Sequence, residues 1–129
     1  MADVLVDTTV WIDFFRHAQG RPGDVLDKLL AEDRVLLCGV VEMEIFQGLR
    51  DKELREVRSV FQLIPYLETT REDFIEAGDL WNRLRQKGIT IPPTDCLIAQ
   101  LCLKRNLSLF SLDAHFDGIK GLKRIGTKS

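Results

Sequence analysis

The sequence VLVD at residues 4–7 is a short apolar run that ends on an acid. Two similar runs follow, VLLC at residues 35–38 and LSLF at 107–110, and the charged run LKRI at 122–125 is a candidate edge strand. Short runs that are apolar throughout are typical of strands buried on both faces, as in parallel sheets. We therefore expect a mostly parallel sheet in which residues 4–6 form one strand.

Helical periodicity fills the intervals between these strands. Apolar residues recur at helical spacing within 24–31, 54–64, 74–84 and 97–102, and further helices are predicted over 7–16 and 40–49. Gly88 is expected to end the helix over 74–84, and Thr94 is expected to cap the helix that follows. This alternation predicts an α/β fold with a central four- or five-stranded sheet flanked by helices. The 129 residues fit a single domain, 1–129.

Charge and cysteine content narrow the class of protein. The chain has 18 Lys and Arg against 20 Asp and Glu, a net charge of −2, which argues against a protein that grips nucleic acid by bulk charge alone. Three cysteines without a C-x-x-C pair predict neither a disulfide framework nor a zinc site. No signal peptide or membrane-spanning run is recognisable. We expect a cytoplasmic protein with no membrane partner.

Two acids follow predicted strands directly. Asp7 comes after residues 4–6, and Asp113 follows residues 107–110 after two intervening residues. Ligands of open parallel sheets bind outside the carboxyl ends of the strands, so both acids are candidates for one crevice. Each could instead cap the helix or turn that follows it.

Further acids lie on predicted helices. Asp95 shares a helix face with Ile98 and Cys102, where a carboxylate must pair, coordinate a cation or lose its charge. The alternative is that Asp95 only interacts favourably with the helix dipole in the first turn. On the helix over 40–49, periodicity does not choose between Glu42 and Glu44 and slightly favours Glu42.

Three or four converging carboxylates would repel one another, and a hard divalent cation cancels that repulsion. Oxygen ligands without His or Cys suit Mg²⁺ or Mn²⁺. Neither a phosphate-binding glycine loop nor a G-x-S-x-G nucleophile motif occurs. The two histidines, His17 and His115, stand isolated in the sequence and are interpreted as surface residues.

Three stretches carry a resemblance to a known family: VLVDTTVWIDFF, VVEMEIFQGLRD and TDCLIAQLCLKRNLSLFSLDAHF. They resemble PIN-domain ribonucleases, most closely the VapC-like toxins of VapBC-type toxin–antitoxin pairs. The family's E-(apolar)-x-x-G pattern maps onto Glu44 and Gly48. The motif therefore favours Glu44 over Glu42, which the periodicity slightly favours and which stays the alternative. The resemblance implies a set of four catalytic and metal-binding acids: Asp7, Glu44, Asp95 and Asp113. Ser111 falls near the implied metal site, and Asp117 could share or replace the role of Asp113.

The resemblance also implies a fold, an activity and partners. The fold would be PIN-like, and the activity would be Mg²⁺- or Mn²⁺-dependent endonucleolytic cleavage of RNA through a metal-activated water. The implied partners are the RNA substrate, a VapB-like antitoxin and a second copy of the chain. Candidates for an antitoxin groove are Trp11, Phe14, Phe15 and Phe46, although at least two of these four are expected to belong to the core instead. Candidates for RNA contact are Arg16, Arg50, Lys120 and Lys123. The alternative is a non-catalytic PIN-like module that binds RNA or protein.

Overall fold

A computed structural model describes residues 3–17 and 20–126, which contain a parallel sheet of five strands. The strands are β1 (Val4–Val6), β2 (Val35–Cys38), β3 (Tyr66–Leu67), β4 (Ser108–Phe110) and β5 (Lys123–Ile125). Their spatial order is β3-β2-β1-β4-β5, and every neighbouring pair is parallel. The predicted parallel α/β sheet is confirmed, with five strands and the charged run 122–125 at one edge.

In the part of the chain that the structure describes, six α-helices connect and cover the strands. They are α1 (Thr8–His17), α2 (Arg21–Ala31), α3 (Gly39–Gly48), α4 (Asp51–Phe61), α5 (Arg71–Gln86) and α6 (Pro93–Arg105). A 3₁₀ turn over Ala114–Phe116 follows β4. Gly88 follows the end of α5 with a φ of 82°, the left-handed conformation that glycine tolerates best.

The predicted cap at Thr94 is wrong. Helix α6 begins one residue earlier, at Pro93, and Pro92 occupies the N-cap position without a side-chain cap. Proline suits the first helical position because its fixed φ fits the helix and its missing N–H would have had no intrahelical partner. Thr94 is therefore the second residue of the helix, and its hydroxyl is available to another group.

The core lies on both faces of the sheet. All three residues of β1 are fully buried, which is why this strand is apolar throughout. Trp11 of α1 is also fully buried, stacked on Phe15 and edge-on to Phe61. Trp11 is thus part of the core, whereas Phe14, Phe15 and Phe46 are only partly buried against it. Of the two interpretations of Trp11, the structure supports the core and contradicts the groove.

Helices α5 and α6 are joined by a buried ion pair. Both carboxylate oxygens of Asp73 accept hydrogen bonds from Arg105, each at 2.9 Å. Asp73 also accepts a hydrogen bond from the backbone N–H of Thr70, which completes a capping box at the start of α5. The Arg105 guanidinium holds the pKa of Asp73 well below its ordinary value.

The three cysteines, Cys38, Cys96 and Cys102, are free thiols buried in the core. Burial raises the pKa of the Cys38 thiol to about 11, so it stays protonated at neutral pH. Within residues 3–17 and 20–126, none of the helices combines the length and apolar character needed to cross a bilayer.

Candidate active site

Asp7 lies at the carboxyl end of β1 and is almost fully buried. Its backbone N–H donates to the carbonyl of Phe110 at 2.8 Å, which fixes Asp7 beside the end of β4. Among the described residues, its carboxylate accepts hydrogen bonds only from two hydroxyls, Thr9 Oγ1 at 2.8 Å and Ser111 Oγ at 2.7 Å. Both bind Oδ2, so the alternative interpretation of the Asp7 side chain as a helix cap is not supported.

The loop after β4 is held in place by the same hydroxyls. Ser111 Oγ accepts the backbone N–H of Asp113 at 3.0 Å, and Thr9 Oγ1 accepts the N–H of Leu112 at 3.1 Å. From β5, Arg124 Nη2 donates to the carbonyl of Ser111 at 3.2 Å and more weakly to that of Asp113 at 3.4 Å. These bonds hold Asp113 beside Asp7.

Asp113 has two roles in the structure. Its Oδ1 accepts the N–H of His115 at 2.9 Å, so it caps the 3₁₀ turn, as the alternative interpretation proposed. Its Oδ2 lies 3.1 Å from His115 Nδ1, which is also 2.8 Å from Oδ2 of Asp95. The cap and the crevice interpretations are therefore compatible.

His115 is a surface residue, as the sequence indicates, but it is not isolated. Its side chain is 48% exposed, yet its imidazole bridges two of the predicted acids. The hydrogen bond to Asp95 raises the pKa of His115, and the charge of Asp113 acts in the same direction. Twenty positions separate His115 from Asp95, and only the fold brings them together. The His17 side chain lies outside the described part of the chain.

Asp95 is buried in the first turn of α6, on the apolar face that the periodicity predicted. Burial raises its pKa, and the charges of Asp7 and Asp113 add to that effect, while the hydrogen bond from His115 opposes it. Asp95 therefore interacts electrostatically with both of these carboxylates, and the three belong to one group of acids. We define the acidic cluster as Asp7, Glu44, Asp95 and Asp113.

Glu44 reaches the acidic cluster from α3. Its Oε1 accepts a hydrogen bond from Thr8 Oγ1 at 2.9 Å. Burial raises the pKa of Glu44, as do the charges of Asp7 and Asp95, whereas hydrogen bonds from the Thr8 and Thr94 hydroxyls lower it. Glu44, the acid that the family motif selects, is thus close enough to Asp7 and Asp95 to interact electrostatically with both.

The other candidate acids lie elsewhere. Glu42 is on the side of α3 near Cys38 and Tyr66, whose pKa values its charge raises. Asp117 forms an ion pair with Arg124 at 2.8 Å, and its side chain is 69% exposed. Arg124 thus links Asp117 to the loop that carries Asp113, but the Asp117 carboxylate itself is turned to solvent.

The basic candidates are spread over the surface. Arg16 donates to the carbonyl of Gly48 at 2.6 Å, and Arg50 follows two residues later with a side chain that is 87% exposed. Lys123 contacts Asn106 at 2.6 Å and pairs with Ser108, at the amino end of the sheet and away from the acidic cluster. Lys120 is exposed in the turn before β5.

The donor set of the acidic cluster fits a divalent cation. One oxygen each from Asp95 and Asp113 and a nitrogen of His115 lie within 4.8 Å of one another. Glu44 and Asp7 add further carboxylates, and the described residues in contact with these carboxylates supply mainly neutral hydroxyls as donors. Carboxylate oxygens around an uncompensated negative charge are the ligands that Mg²⁺ and Mn²⁺ prefer.

The chain is similar to known proteins in sequence and in fold. Ribonuclease VapC11 of Mycobacterium tuberculosis is 28% identical over 131 residues, spanning 98% of both chains. The DNA-bound VapBC structure from Salmonella typhimurium superposes with a TM-score of 0.84 at 19% identity, covering 99% of this chain and 100% of that one. A toxin–antitoxin complex from Klebsiella pneumoniae superposes with a TM-score of 0.75 at 19% identity over 98% of each chain. The sequence model of the PIN domain family matches residues 4–122, and the chain belongs to that family.

Proposed function

We propose that this protein is a metal-dependent endoribonuclease that acts as the toxin of a type II toxin–antitoxin pair. The observation that carries the proposal is the acidic cluster at the carboxyl ends of β1 and β4, built from residues that are far apart in sequence. The similarity of the chain to a VapC ribonuclease supports RNA as the substrate. In this proposal, residues 1–129 form a single PIN-like domain.

Asp7, Glu44, Asp95 and Asp113 would hold one or two Mg²⁺ or Mn²⁺ ions. When bound, such a cation supplies Lewis-acid chemistry, which activates water and stabilises the negative charge that develops on the phosphoryl group. The chain's own hydroxyls orient the acids for this task. Thr9 and Ser111 both bind Oδ2 of Asp7 and leave its other oxygen for a cation, while Thr8 fixes one oxygen of Glu44.

Basic side chains would bind the RNA backbone beside this site. Arg50 is accessible for such a contact, because its side chain is 87% exposed. Arg16 lies close to the same helix end, and Lys120 is also exposed. The contact proposed for Lys123 requires RNA to extend toward the amino end of the sheet. Phosphate contacts of this kind position a nucleic acid without reading its sequence.

An antitoxin and a second copy of the chain are the proposed protein partners. The complexes with VapB and with other antitoxins found among similar structures support the first. For the second, α3, α5 and α6 surround an apolar groove of about 930 Å³ whose lining includes Met43, Phe74 and Trp81. Met43 and Phe74 are 54% and 58% exposed, and exposed apolar side chains grouped in this way are typical of a protein–protein interface.

A toxin that cleaves cellular RNA would act in the cytoplasm.

RNA cleavage by the purified chain tests the proposal. We expect cleavage with Mg²⁺ or Mn²⁺, none with EDTA, and a loss of more than about 100-fold in Asp7→Asn, because changes that merely disturb a metal ligand already cost about 10–100-fold. Asp117→Asn is the matched control, since it removes an acid that is outside the cluster, and it should cleave normally. Cleavage that survives EDTA or Asp7→Asn would support the alternative, a non-catalytic module contaminated by another nuclease.

A further inference from the structure

The imidazole of His115 lies at the edge of the acidic cluster. Its Nδ1 is 2.8 Å from Oδ2 of Asp95 and 3.1 Å from Oδ2 of Asp113. The residue is also anchored through its backbone, whose N–H donates to Oδ1 of Asp113 at 2.9 Å. The next residue, Phe116, is buried in the core, so the turn that carries His115 is fixed at both ends.

These separations equal those between adjacent ligands of a six-coordinate cation. With metal–ligand bonds of about 2.0–2.1 Å at right angles, neighbouring ligand atoms lie about 2.9 Å apart. The two Nδ1–oxygen distances, 2.8 and 3.1 Å, fall on either side of this value. One carboxylate oxygen each of Asp95 and Asp113 and one ring nitrogen of His115 also lie within 4.8 Å of one another, close enough to share one ion.

We propose that His115 is a nitrogen ligand, through Nδ1, of the divalent cation held by Asp95 and Asp113. This inference rests on the proposed function, because it concerns the same metal site. It makes the donor set mixed, with one imidazole among carboxylates. Imidazole suits transition metals, whereas Mg²⁺ prefers oxygen, so the site should select Mn²⁺ over Mg²⁺.

A positioning role is the competing explanation. Nδ1 can carry a proton and donate it to a carboxylate, or it can offer its lone pair to a cation, but it cannot do both at once. In the first case His115 would orient Asp95 and remain outside the coordination sphere. The two cases therefore differ in whether the bound metal has a nitrogen neighbour.

Pulsed electron paramagnetic resonance of the full chain loaded with Mn²⁺ distinguishes them. We expect modulation from a directly bound ¹⁴N nucleus, replaced by the ¹⁵N pattern when the protein is made with ¹⁵N-histidine. His115→Ala and His115→Gln should lose the nitrogen signal and bind Mn²⁺ about tenfold more weakly or worse, with Mg²⁺ affinity changed less. The matched control is His17→Ala, at the far end of α1 from the cluster, which should retain the signal.

The labelled wild-type protein decides the matter even if a variant fails to fold. Stoichiometric Mn²⁺ binding without a nitrogen coupling would overturn the role of His115 and leave the proposed function intact. Failure to bind Mn²⁺ at all would overturn both. Equal losses of Mn²⁺ and Mg²⁺ affinity in His115→Ala would also contradict a nitrogen ligand, because a positioning residue affects both cations alike.

Discussion

Replacing Asp113 by asparagine should stabilise the metal-free protein and weaken its response to a divalent cation. One carboxylate oxygen of Asp95 and one of Asp113 lie within 4.8 Å of each other, so two like charges are close together when no metal is present. Asparagine has the same shape, keeps an oxygen for the N–H of His115, and caps a helical turn as well as aspartate does. The substitution therefore removes a charge and little else.

The size of the effect follows from this separation. At 4.8 Å, the upper limit of the separation between these two oxygens, two unit charges repel by about 3.5 kcal/mol at an effective dielectric constant of about 20. The Asp113 side chain is 28% exposed, and screening by solvent reduces the expected gain in unfolding free energy to about 1–2 kcal/mol. For a chain of this length, that gain corresponds to a Tm higher by about 3–10 °C in EDTA.

A bound cation should reverse the order of stability. At a concentration of about 100 times its Kd, a ligand adds about 2.7 kcal/mol to the stability of the protein that binds it. The wild-type chain should gain this amount with Mg²⁺ or Mn²⁺. Asp113→Asn lacks one of the proposed metal ligands and should gain much less, so it becomes the less stable of the two.

Thermal unfolding in EDTA and in excess Mg²⁺ measures both effects. The buffer is kept at pH 9, because a protonated His115 would offset part of the repulsion between Asp95 and Asp113. Asp117→Asn serves as the control: it loses an exposed ion pair with Arg124, which should change stability by less than about 1 kcal/mol and leave the Mg²⁺ response unchanged. A lower Tm of Asp113→Asn in EDTA, or an equal Mg²⁺ response, refutes the reasoning.

Three further predictions follow from other parts of the molecule. Asp73→Asn breaks the buried pair with Arg105 and should cost about 3 kcal/mol in urea unfolding at pH 7. Because the pKa of Asp73 is lowered in the fold, this stabilisation is present above its unfolded pKa and is lost as the pH falls through the folded value, so the cost should shrink in acid. Ser111→Ala removes a hydrogen bond to Asp7 and should reduce metal affinity, measured by calorimetry, by about 10–100-fold; unchanged affinity would contradict its role. Phe74→Glu should convert a dimer to a monomer in analytical ultracentrifugation, and a dimer that persists would exclude the groove as the interface.

The sequence pattern predicted most of the sheet because buried parallel strands leave a strong signal. Each residue of β1 is fully buried, so the run at 4–6 contains no polar residue. Strand β3 was not predicted, since it has only two residues and Tyr66 is exposed. Strand β3 is defined by its pairing with β2, and such a long-range pairing leaves no pattern in the local sequence.

The four acids were predicted from motifs and strand ends, but their surroundings were not. Thr8 and Thr9 look like ordinary first-turn residues of α1, and only the fold shows that their hydroxyls bind Glu44 and Asp7. The contacts of the exposed His115 with Asp95 and Asp113 were not predicted, because a lone histidine carries no periodicity. A usable signal existed in its position two residues after Asp113, where an Asx turn brings the two side chains together.

Anomalous diffraction from crystals soaked in Mn²⁺ tests the central claim most directly, because it locates the cation. The account predicts a peak within the acidic cluster, bound by oxygens of Asp95 and Asp113 and next to Asp7 and Glu44, with no such peak in crystals of Asp7→Asn grown under the same conditions. A peak elsewhere, or none, in a preparation that cleaves RNA in a Mn²⁺-dependent manner would contradict the assignment of this cluster as the catalytic metal site.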